Sequence, residues 1–228
     1  MTKAIILAGG KGTRLWPITN GGQKVIVNIA GKSFLEFIIE KLIQENFTKV
    51  YLAIGYKSDD VTKLIMNLNL DIDIELIVES KALGTGGAIK NVLSKLPVGD
   101  YVIINGDSYN EINYTKFFKR HEFLKADVSI LTKYVKNISR YGTLKLDNDN
   151  RVERFLEKTG RDVPGIINAG VYVVKSNIFD NIQKEIFSFE IFLADIVLKH
   201  KIISIPSNSY FIDIGTPEDF SIFKKLKE

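Results

Sequence analysis

The residues best suited to do chemistry stand in a glycine-rich segment near the N-terminus. Leu7-Ala8-Gly9-Gly10-Lys11-Gly12-Thr13-Arg14 directly follows a short apolar run. Closely spaced glycines let the backbone approach a ligand, and their amide groups can face phosphate oxygens. Arg14 adds a planar, permanently charged group with several donors. The segment therefore predicts a loop that binds a phosphate-bearing ligand, with a plain tight turn as the structural alternative.

The glycine spacing argues against two common phosphate-binding motifs. The dinucleotide fingerprint through Gly10 and Gly12 would need Gly or Ala at position 15, where the chain has Leu15. The P-loop would need a closing Gly-Lys-Ser/Thr, which this segment lacks. A Rossmann-fold oxidoreductase that binds a nicotinamide cofactor is therefore disfavoured.

Two aspartates end apolar runs that lie far apart in the chain. Asp107 closes Asn105-Gly106-Asp107, and Asp213 precedes Ile-Gly-Thr-Pro. In open α/β sheets, ligands bind beyond the carboxyl ends of strands, where distant residues can meet. Mg²⁺ prefers oxygen ligands and usually takes one or two carboxylates together with phosphates and waters. We therefore expect Asp107 and Asp213 to bind Mg²⁺, although either aspartate alone could be a helix cap or a turn residue.

The elements that must position these residues alternate along the chain. Apolar runs typical of strands alternate with segments of helical periodicity, which favours an α/β fold with a mostly parallel sheet. The predicted strands are Ala4–Ala8, Val50–Ile54, Ile74–Val78, Tyr101–Ile104, Val128–Tyr134, Gly142–Leu146, Ile167–Val174 and Lys201–Ile205. The predicted helices are Phe34–Gln44, Asp59–Leu68, Thr85–Leu96, Ile178–Ile182, Phe189–Lys199 and Pro217–Leu226.

Composition limits the classes of protein that the sequence can encode. The 228 residues include no cysteine, which excludes a disulfide framework, a thiolate zinc site and a cysteine nucleophile. No stretch approaches the roughly 20 apolar residues of a membrane span, and the N-terminus is unlike a signal peptide, so we expect a cytoplasmic protein without a membrane partner. The net charge of +4 comes from dispersed lysines, which does not favour nucleic-acid binding. His121 and His200 are assigned to structure or surface.

The first motif resembles the opening motif of the sugar-phosphate nucleotidyltransferases. The similar segment is LAGGKGTRLWPIT, residues 7–19, and the resemblance extends from about Ala4 to Phe220. The family motif continues to a lysine between two prolines, whereas Lys24 stands here between Gln23 and Val25. The resemblance implies that Lys24 and the loop bind the triphosphate, the loop residues being Leu7, Ala8, Gly9, Gly10, Gly12, Thr13 and Arg14.

A second motif, Glu79 to Ala88, resembles the family segment that surrounds the nucleobase. The resemblance implies nucleotide contacts for Glu79, Gly84 and Thr85, and Asn105 is assigned to the same site. A carboxylate only accepts hydrogen bonds. Guanine offers two adjacent donors, whereas uracil and thymine offer one donor between two acceptors, which suits an amide better. Glu79 therefore favours GTP, with an exposed glutamate at a strand end as the alternative.

Further motifs resemble the sugar-phosphate side of the family. They are Arg140-Tyr141-Gly142-Thr143, Phe155-Leu156-Glu157-Lys158 and Asn168-Ala169-Gly170. The resemblance implies that the sugar 1-phosphate contacts Tyr109, Gly142, Glu157, Lys158 and Asn168. Lys158 would hold the phosphate, because a flexible ammonium suits that group. The context Asp-x-Gly-Thr of Asp213 is also similar to the metal-binding position of the family.

The resemblance implies a Rossmann-like three-layer sandwich with a mostly parallel mixed central sheet, the nucleotidyltransferase fold. We expect a single domain, 1–228, with a nucleotide-binding half of about 1–110 and a sugar-phosphate half of about 111–228. The implied catalytic residues are Arg14, Lys24, Asp107 and Lys158. No general base is needed, because the attacking phosphate oxygen is already ionised at neutral pH.

The motifs are most similar to those of D-glycero-D-manno-heptose 1-phosphate guanylyltransferases. The implied substrates are GTP and a heptose 1-phosphate, the implied cofactor is Mg²⁺, and the product GDP-heptose would serve capsule, lipopolysaccharide or S-layer synthesis. Mannose 1-phosphate guanylyl transfer, cytidylyl or uridylyl transfer, and a non-catalytic nucleotide-sugar-binding module stay open as alternatives. A homodimer is compatible with the sequence.

Overall fold

The structure, a computed structural model, describes residues 3–156 and 160–228. Its strands are β1 (Lys3–Ala8), β2 (Asn28–Ile29), β3 (Lys32–Ser33), β4 (Lys49–Ile54), β5 (Asp73–Val78), β6 (Asp100–Asn105), β7 (Ser108–Asn110), β8 (Val128–Val135), β9 (Thr143–Leu146), β10 (Val152–Leu156), β11 (Gly165–Lys175), β12 (Ile202–Pro206) and β13 (Phe211–Asp213). Its α-helices are α1 (Trp16–Thr19), α2 (Phe34–Gln44), α3 (Ser58–Asn67), α4 (Gly84–Leu93), α5 (Tyr114–Leu124), α6 (Phe189–Ile196) and α7 (Pro217–Lys227). Short 3-10 helices cover Thr13–Leu15, Lys24–Ile26 and Ser176–Phe179.

The chain divides into two compact units, each made of separate segments of the sequence. The first unit contains Met1–Ala82, Ile104–Glu111 and Tyr210–Glu228, and the second contains Leu83–Ile103 and Ile112–Ser209. Strand β6 begins in the second unit, and its last two residues belong to the first. The expected single domain with halves that meet near residue 110 stays a prediction.

Three parallel strands, in the order β1-β4-β5, form the sheet of the first unit. Their last residues are in register, because Ala8 pairs with Ile54 and Ile54 pairs with Val78. The segments that follow these three strands therefore emerge at the same edge of the sheet. This edge is where ligands bind in open α/β folds.

Two helices of the first unit have well-defined starts. Helix α2 begins at a capping box, in which Ser33 Oγ accepts from the Glu36 amide and the Ser33 amide donates to Glu36 Oε2 at 2.6 Å. Helix α7 begins after Thr216, whose hydroxyl accepts from the Asp219 amide, and has proline at its first position. Only three residues separate β13 from α7, so this cap lies close to the end of that strand.

The second unit has a mixed set of strands. Strand β8 pairs with β11 in antiparallel fashion and with β12 in parallel fashion, and β9 pairs with β10 in antiparallel fashion. Strand β11 also neighbours β6 and meets β9 through Ile167 and Thr143. The predicted combination of parallel and antiparallel strands with helices is thus present.

Most predicted elements are confirmed within one or two residues at each end, and α2 has the predicted bounds. The helix predicted at Ile178–Ile182 is wrong, because the 3-10 helix Ser176–Phe179 stands there and a turn follows at Asp180 and Asn181. Aspartate and asparagine favour turns over helix interiors, since their side chains bond to the nearby backbone. Within residues 3–156 and 160–228, no helix combines the length and the apolar character needed to cross a membrane.

Candidate active site

The glycine loop leaves β1 at Gly9 and closes over Lys24. Gly12 has a φ of 59°, and a Cβ atom there would lie 2.8 Å from the Cβ of Lys24. Only a residue without a side chain can adopt this backbone and approach Lys24 so closely. The 3-10 helix Thr13–Leu15 follows, in which Thr13 and Arg14 are exposed and Leu15 is buried. The loop is thus anchored by Leu15 and presents Arg14 to solvent.

Lys24 connects this loop to the end of β6. Its Nζ lies 2.5 Å from Asp107 Oδ2, although the residue itself is only 8% exposed. The Gly106 amide donates to the carbonyl of Leu7 at 2.9 Å, which fixes Asp107 beside the start of the loop. The other carboxylate oxygen of Asp107 accepts from the Ser108 hydroxyl at 3.2 Å. Two of the predicted catalytic residues are therefore in direct contact.

The two-stranded ribbon of β7 and β13 brings Asp213 next to Asp107. Asp213 pairs with Ser108 across this ribbon, and the Ile214 amide donates to the Asp107 carbonyl at 3.0 Å. A Cβ at Gly215 would lie 2.9 Å from Asp213 Oδ1 and 3.1 Å from Arg14 Nη2. Arg14 and Asp213 thus converge on Gly215. Both predicted metal-binding aspartates stand at neighbouring strand ends.

The donor set at these strand ends fits a Mg²⁺ ion. Asp107 and Asp213 supply carboxylate oxygens, the ligands that this ion prefers, and it commonly takes one or two protein carboxylates with phosphates and waters. Among residues 3–156 and 160–228, no group of three or more His, Cys, Asp or Glu side chains is placed to hold a metal. A Mg²⁺ ion held by two carboxylates commonly takes its remaining ligands from phosphates and waters.

Glu79 reaches the glycine loop across the open edge of the sheet. It follows β5, and its amide donates to the Ile54 carbonyl at 2.8 Å. A Cβ at Gly9 would lie 3.1 Å from Glu79 Oε1, and one at Gly55 would lie 3.5 Å from Oε2. Because Gly55 has no side chain, the carboxylate of Glu79 can extend over it as far as Gly9. The predicted base-reading residue therefore lies against the predicted phosphate loop.

Thr85, at the start of α4 in the second unit, is engaged by the segment that leads into α6. Its hydroxyl accepts from the Phe189 amide at 2.8 Å and donates to Glu190 Oε2 at 3.2 Å. The Gly86 amide donates to the Phe187 carbonyl at 3.0 Å, and the Gly87 amide to the same oxygen at 3.3 Å. These contacts give Thr85 a packing role, and its contact with a nucleotide stays a prediction, as does that of Gly84.

Gly142 and Asn168, which were predicted to contact the sugar, are neighbours in the second unit. The Asn168 amide donates to the Gly142 carbonyl at 3.3 Å. The Asn168 side chain donates to the Tyr172 hydroxyl at 2.6 Å and accepts from the Gly170 amide at 3.0 Å. Glu157 and Lys158 lie outside the described residues, so their roles stay predictions.

Tyr109, also predicted to contact the sugar 1-phosphate, packs beneath α7 in the first unit. It is 7% exposed, and its ring centroid lies 5.2 Å from that of Phe223. Lys227 Nζ stands 4.5 Å from the Tyr109 ring centroid. Burial, followed by the nearby Glu111 carboxylate, raises the pKa of Tyr109 to about 12. These contacts give Tyr109 a structural role, and its contact with the sugar 1-phosphate stays a prediction.

Sequence reasoning did not single out Gly55 and Tyr56, which follow β4 at the same edge as the glycine loop. The Tyr56 amide donates to the Gly9 carbonyl at 3.2 Å. Gln23, noted only as the residue before Lys24, is 1% exposed. A glycine directly after a buried parallel strand was the available signal for Gly55, because ligands gather at such strand ends.

The nucleotidyl transferase family model matches residues 3–226 of the chain. A D-glycero-alpha-D-manno-heptose 1-phosphate guanylyltransferase from Aneurinibacillus thermoaerophilus is 39% identical over 220 residues, which cover 96% of this chain and 95% of that protein. One of the same description from Campylobacter jejuni is 36% identical over 222 residues, or 97% and 98% of the two chains.

A solved structure supports the same relationship. The crystal structure of HddC from Yersinia pseudotuberculosis, complexed with GMP-PN, aligns over 100% of both chains with a TM-score of 0.88 and 35% sequence identity. This similarity confirms the predicted fold class, an α/β nucleotidyltransferase fold with a mostly parallel mixed central sheet.

Proposed function

The chain belongs to the nucleotidyl transferase family and is a sugar-phosphate nucleotidyltransferase, and we propose that it transfers a guanylyl group from GTP to D-glycero-D-manno-heptose 1-phosphate. The products would be GDP-heptose and pyrophosphate. Two relatives of that description, similar over nearly their full length, support the choice of substrates. Synthesis of a surface polysaccharide such as capsule, lipopolysaccharide or S-layer glycan would consume the product.

One observation carries the proposal: a glycine loop, two cations and two carboxylates converge within the first unit. Lys24 contacts Asp107 at 2.5 Å, and Asp213 is held beside Asp107 by the pairing of β7 with β13. Arg14 reaches the same strand end, against Gly215. Cations suit a triphosphate and its departing pyrophosphate, while carboxylates suit a divalent cation that binds the same phosphates.

In the proposed reaction, a phosphate oxygen of the sugar 1-phosphate attacks the α-phosphorus of GTP. A new phosphorus–oxygen bond forms, and the bond from the α-phosphorus to the oxygen that bridges to the β-phosphorus breaks. That oxygen leaves with the bonding electron pair as part of pyrophosphate. Lys24 and Arg14 would stabilise the charge that develops on pyrophosphate, since fixed cations act strongly where charge accumulates in the transition state. Lys158, which lies outside the described residues, would hold the incoming phosphate.

Asp107 and Asp213 are the residues that would hold Mg²⁺. When bound, such an ion neutralises charge on phosphate oxygens as a Lewis acid. The protein's own contribution is to keep both carboxylates at adjacent strand ends, with one Asp107 oxygen facing Lys24 and the other accepting from Ser108.

Glu79 would select the base of the nucleotide. Its carboxylate lies against Gly9 and Gly55, at the edge where the phosphate loop begins. A carboxylate can accept two parallel hydrogen bonds from the N1–H and the N2 amino group of guanine. This geometry supports GTP over nucleotides whose bases present an acceptor at these positions.

The cellular compartment and the oligomeric state of the enzyme are also proposals. GTP and sugar phosphates are cytoplasmic metabolites, which supports a cytoplasmic enzyme. The homodimer stays a prediction, which the sedimentation velocity of the purified chain would test.

The experiment that tests the function is product identification by mass spectrometry. GTP and Mg²⁺ are incubated with heptose 1-phosphate, mannose 1-phosphate or glucose 1-phosphate, and Asp107→Asn serves as the low-activity control. We expect GDP-heptose to form fastest. Faster formation of GDP-mannose would show that the protein is a mannose 1-phosphate guanylyltransferase instead. Binding of GTP without any product would leave only a nucleotide-binding module and would contradict the proposal.

A further inference from the structure

Gln23 is a buried residue whose side chain ties the end of the glycine loop to two strands. It is 1% exposed, and its amide nitrogen donates to the carbonyl of Ala8 at 2.7 Å and to that of Tyr56 at 3.1 Å. Ala8 is the last residue of β1, and Tyr56 follows β4. Because both partners are carbonyls, only the nitrogen of the amide can face them, so the orientation of the side chain is fixed.

Tyr56 contacts the same loop at both of its ends. Its amide donates to the Gly9 carbonyl at 3.2 Å, and its hydroxyl donates to the Gly21 carbonyl at 3.0 Å. Its own carbonyl is the second acceptor of Gln23. Four hydrogen bonds made by these two residues therefore close the chain from Gly9 to Gln23 onto the ends of β1 and β4.

The glycine content of residues 9–23 explains why hydrogen bonds that close this segment matter for binding. Residues 9–23 include five glycines, and a glycine-rich segment loses much conformational entropy when it becomes ordered. A loop that is ordered before the ligand arrives avoids that cost during binding. Lys24 comes directly after Gln23 and contacts Asp107, so the position of Gln23 also sets the position of the predicted triphosphate-binding lysine.

We propose that Gln23 and Tyr56 form a loop clasp, a pair of positioning residues that hold the glycine loop in its ligand-binding shape and thereby place Lys24 against the triphosphate. The inference rests on the proposed function, because it assigns the clasp to binding of GTP. A contribution to fold stability alone does not explain why a glutamine is buried at position 23. Its amide oxygen is buried and accepts no hydrogen bond from residues 3–156 or 160–228, an unfavourable arrangement for a polar group.

The clasp is tested with Gln23→Met and Tyr56→Phe, which keep the approximate shape of each side chain and remove its donors. Gln44→Met and Tyr134→Phe are matched controls at exposed positions. We expect kcat/KM for GTP to fall about 10- to 100-fold in Gln23→Met and about fivefold in Tyr56→Phe, as loss of positioning costs in other enzymes. The KM for the sugar 1-phosphate and the far-UV circular dichroism spectrum should stay unchanged, and both controls should behave as wild type.

A second measurement separates positioning from general damage. GTP affinity is measured by calorimetry for Gln23→Met in the wild-type and the Lys24→Ala backgrounds. If Gln23 acts through Lys24, the loss seen in wild type should shrink to less than about twofold when Lys24 is absent, because coupled residues are not additive. An equal loss in both backgrounds, or a folded Gln23→Met variant with wild-type GTP affinity, would overturn the proposal.

Limited proteolysis gives a readout that does not depend on GTP. Lys11 and Arg14 lie inside the closed segment, so trypsin should cut there faster in both clasp variants than in the controls. If wild type fails to bind GTP but the clasp variants are cut faster, the proposed function fails while the clasp itself stands as a structural device without a role in GTP binding. Cleavage at the wild-type rate in both variants would show that the clasp does not order the loop.

Discussion

Lys24 and Asp107 are 83 residues apart in the chain, and their side chains meet at 2.5 Å. Asp107 lies in the turn between β6 and β7, and Lys24 begins a 3-10 helix after the glycine loop. A carboxylate predicted to bind a metal ion and a cation predicted to bind phosphate are thus adjacent. The arrangement suits chemistry on a nucleoside triphosphate, in which positioning and charge stabilisation account for most of the catalysis.

Replacement of the Asp107 carboxylate by an amide tests its catalytic role. Asp107→Asn keeps the size of the side chain, retains an oxygen near Ser108 and removes the charge. We expect kcat for pyrophosphate release to fall by a factor of about 100 to 1,000, the scale found when a charge-stabilising group is lost. Asp149→Asn, at an exposed turn in the second unit, is the matched control. Turnover of Asp107→Asn near the wild-type rate would contradict the assignment.

The role of Glu79 is tested by comparison of GTP with inosine triphosphate, which lacks the N2 amino group. A site built to accept from that amino group should reject the analogue. In wild type we expect kcat/KM to be at least about tenfold higher for GTP, as follows when a buried acceptor loses its donor. In Glu79→Gln the ratio should approach one, and activity with GTP should fall. An unchanged ratio in this variant would show that Glu79 does not read the base.

Thr85→Val separates a packing role from a nucleotide contact. The change keeps the shape of the side chain and removes the hydroxyl that bonds to the Phe189 amide and to Glu190. We expect the free energy of unfolding to fall by about 1–3 kcal/mol, because a donor is left unpaired in a partly buried site. Urea titration measures this loss. A stable variant with a raised KM for GTP would instead support the nucleotide contact that the sequence predicted.

The agreement between sequence and structure varies with the kind of interaction. Helix α2 was predicted with its observed bounds, because apolar residues recur at helical spacing throughout Phe34–Gln44. Strand β10 was missed, since three of its five residues, Glu153, Arg154 and Leu156, are exposed and two of them are charged.

The contacts that shape the site depend on how distant segments align in the folded chain. Glu79 approaches Gly9 because β1, β4 and β5 end at the same edge of the sheet with their last residues in register. The clasp of Gln23 and Tyr56 forms through hydrogen bonds to backbone carbonyls. A sequence pattern does not reveal which carbonyls come together. Motif residues could therefore be predicted one by one, whereas the residues that hold them in place could not.

His121 should make stability depend on pH. It is 1% exposed, its Nδ1 lies 2.9 Å from Ser129 Oγ, and its Nε2 lies 3.5 Å from Asp100 Oδ2. Burial lowers the pKa of His121 below 6.5, against the opposing effect of Asp100. The unfolded chain therefore binds this proton at a higher pH than the folded chain, so stability is full above pH 6.5 and falls as the pH drops below that value.

The measurement is the free energy of unfolding between pH 7.5 and 5.0. One proton contributes at most about 1.4 kcal/mol per pH unit to the slope. The difference between wild type and His121→Asn removes the contribution of the other ionisable groups. We expect wild type to lose more stability than the variant as the pH falls, and parallel curves would refute the role of this histidine.

Pyrophosphate release from ATP, CTP, GTP and UTP, each with heptose 1-phosphate and Mg²⁺, tests most directly whether this loop and its carboxylates select and activate a guanine nucleotide. With Glu79 beside Gly9 and Lys24 beside Asp107, GTP should react fastest, by at least about tenfold, the scale of a mismatched hydrogen-bonding site. Equal rates with all four nucleotides, a preference for UTP or CTP, or the absence of pyrophosphate with every nucleotide would contradict the proposed guanylyl transfer.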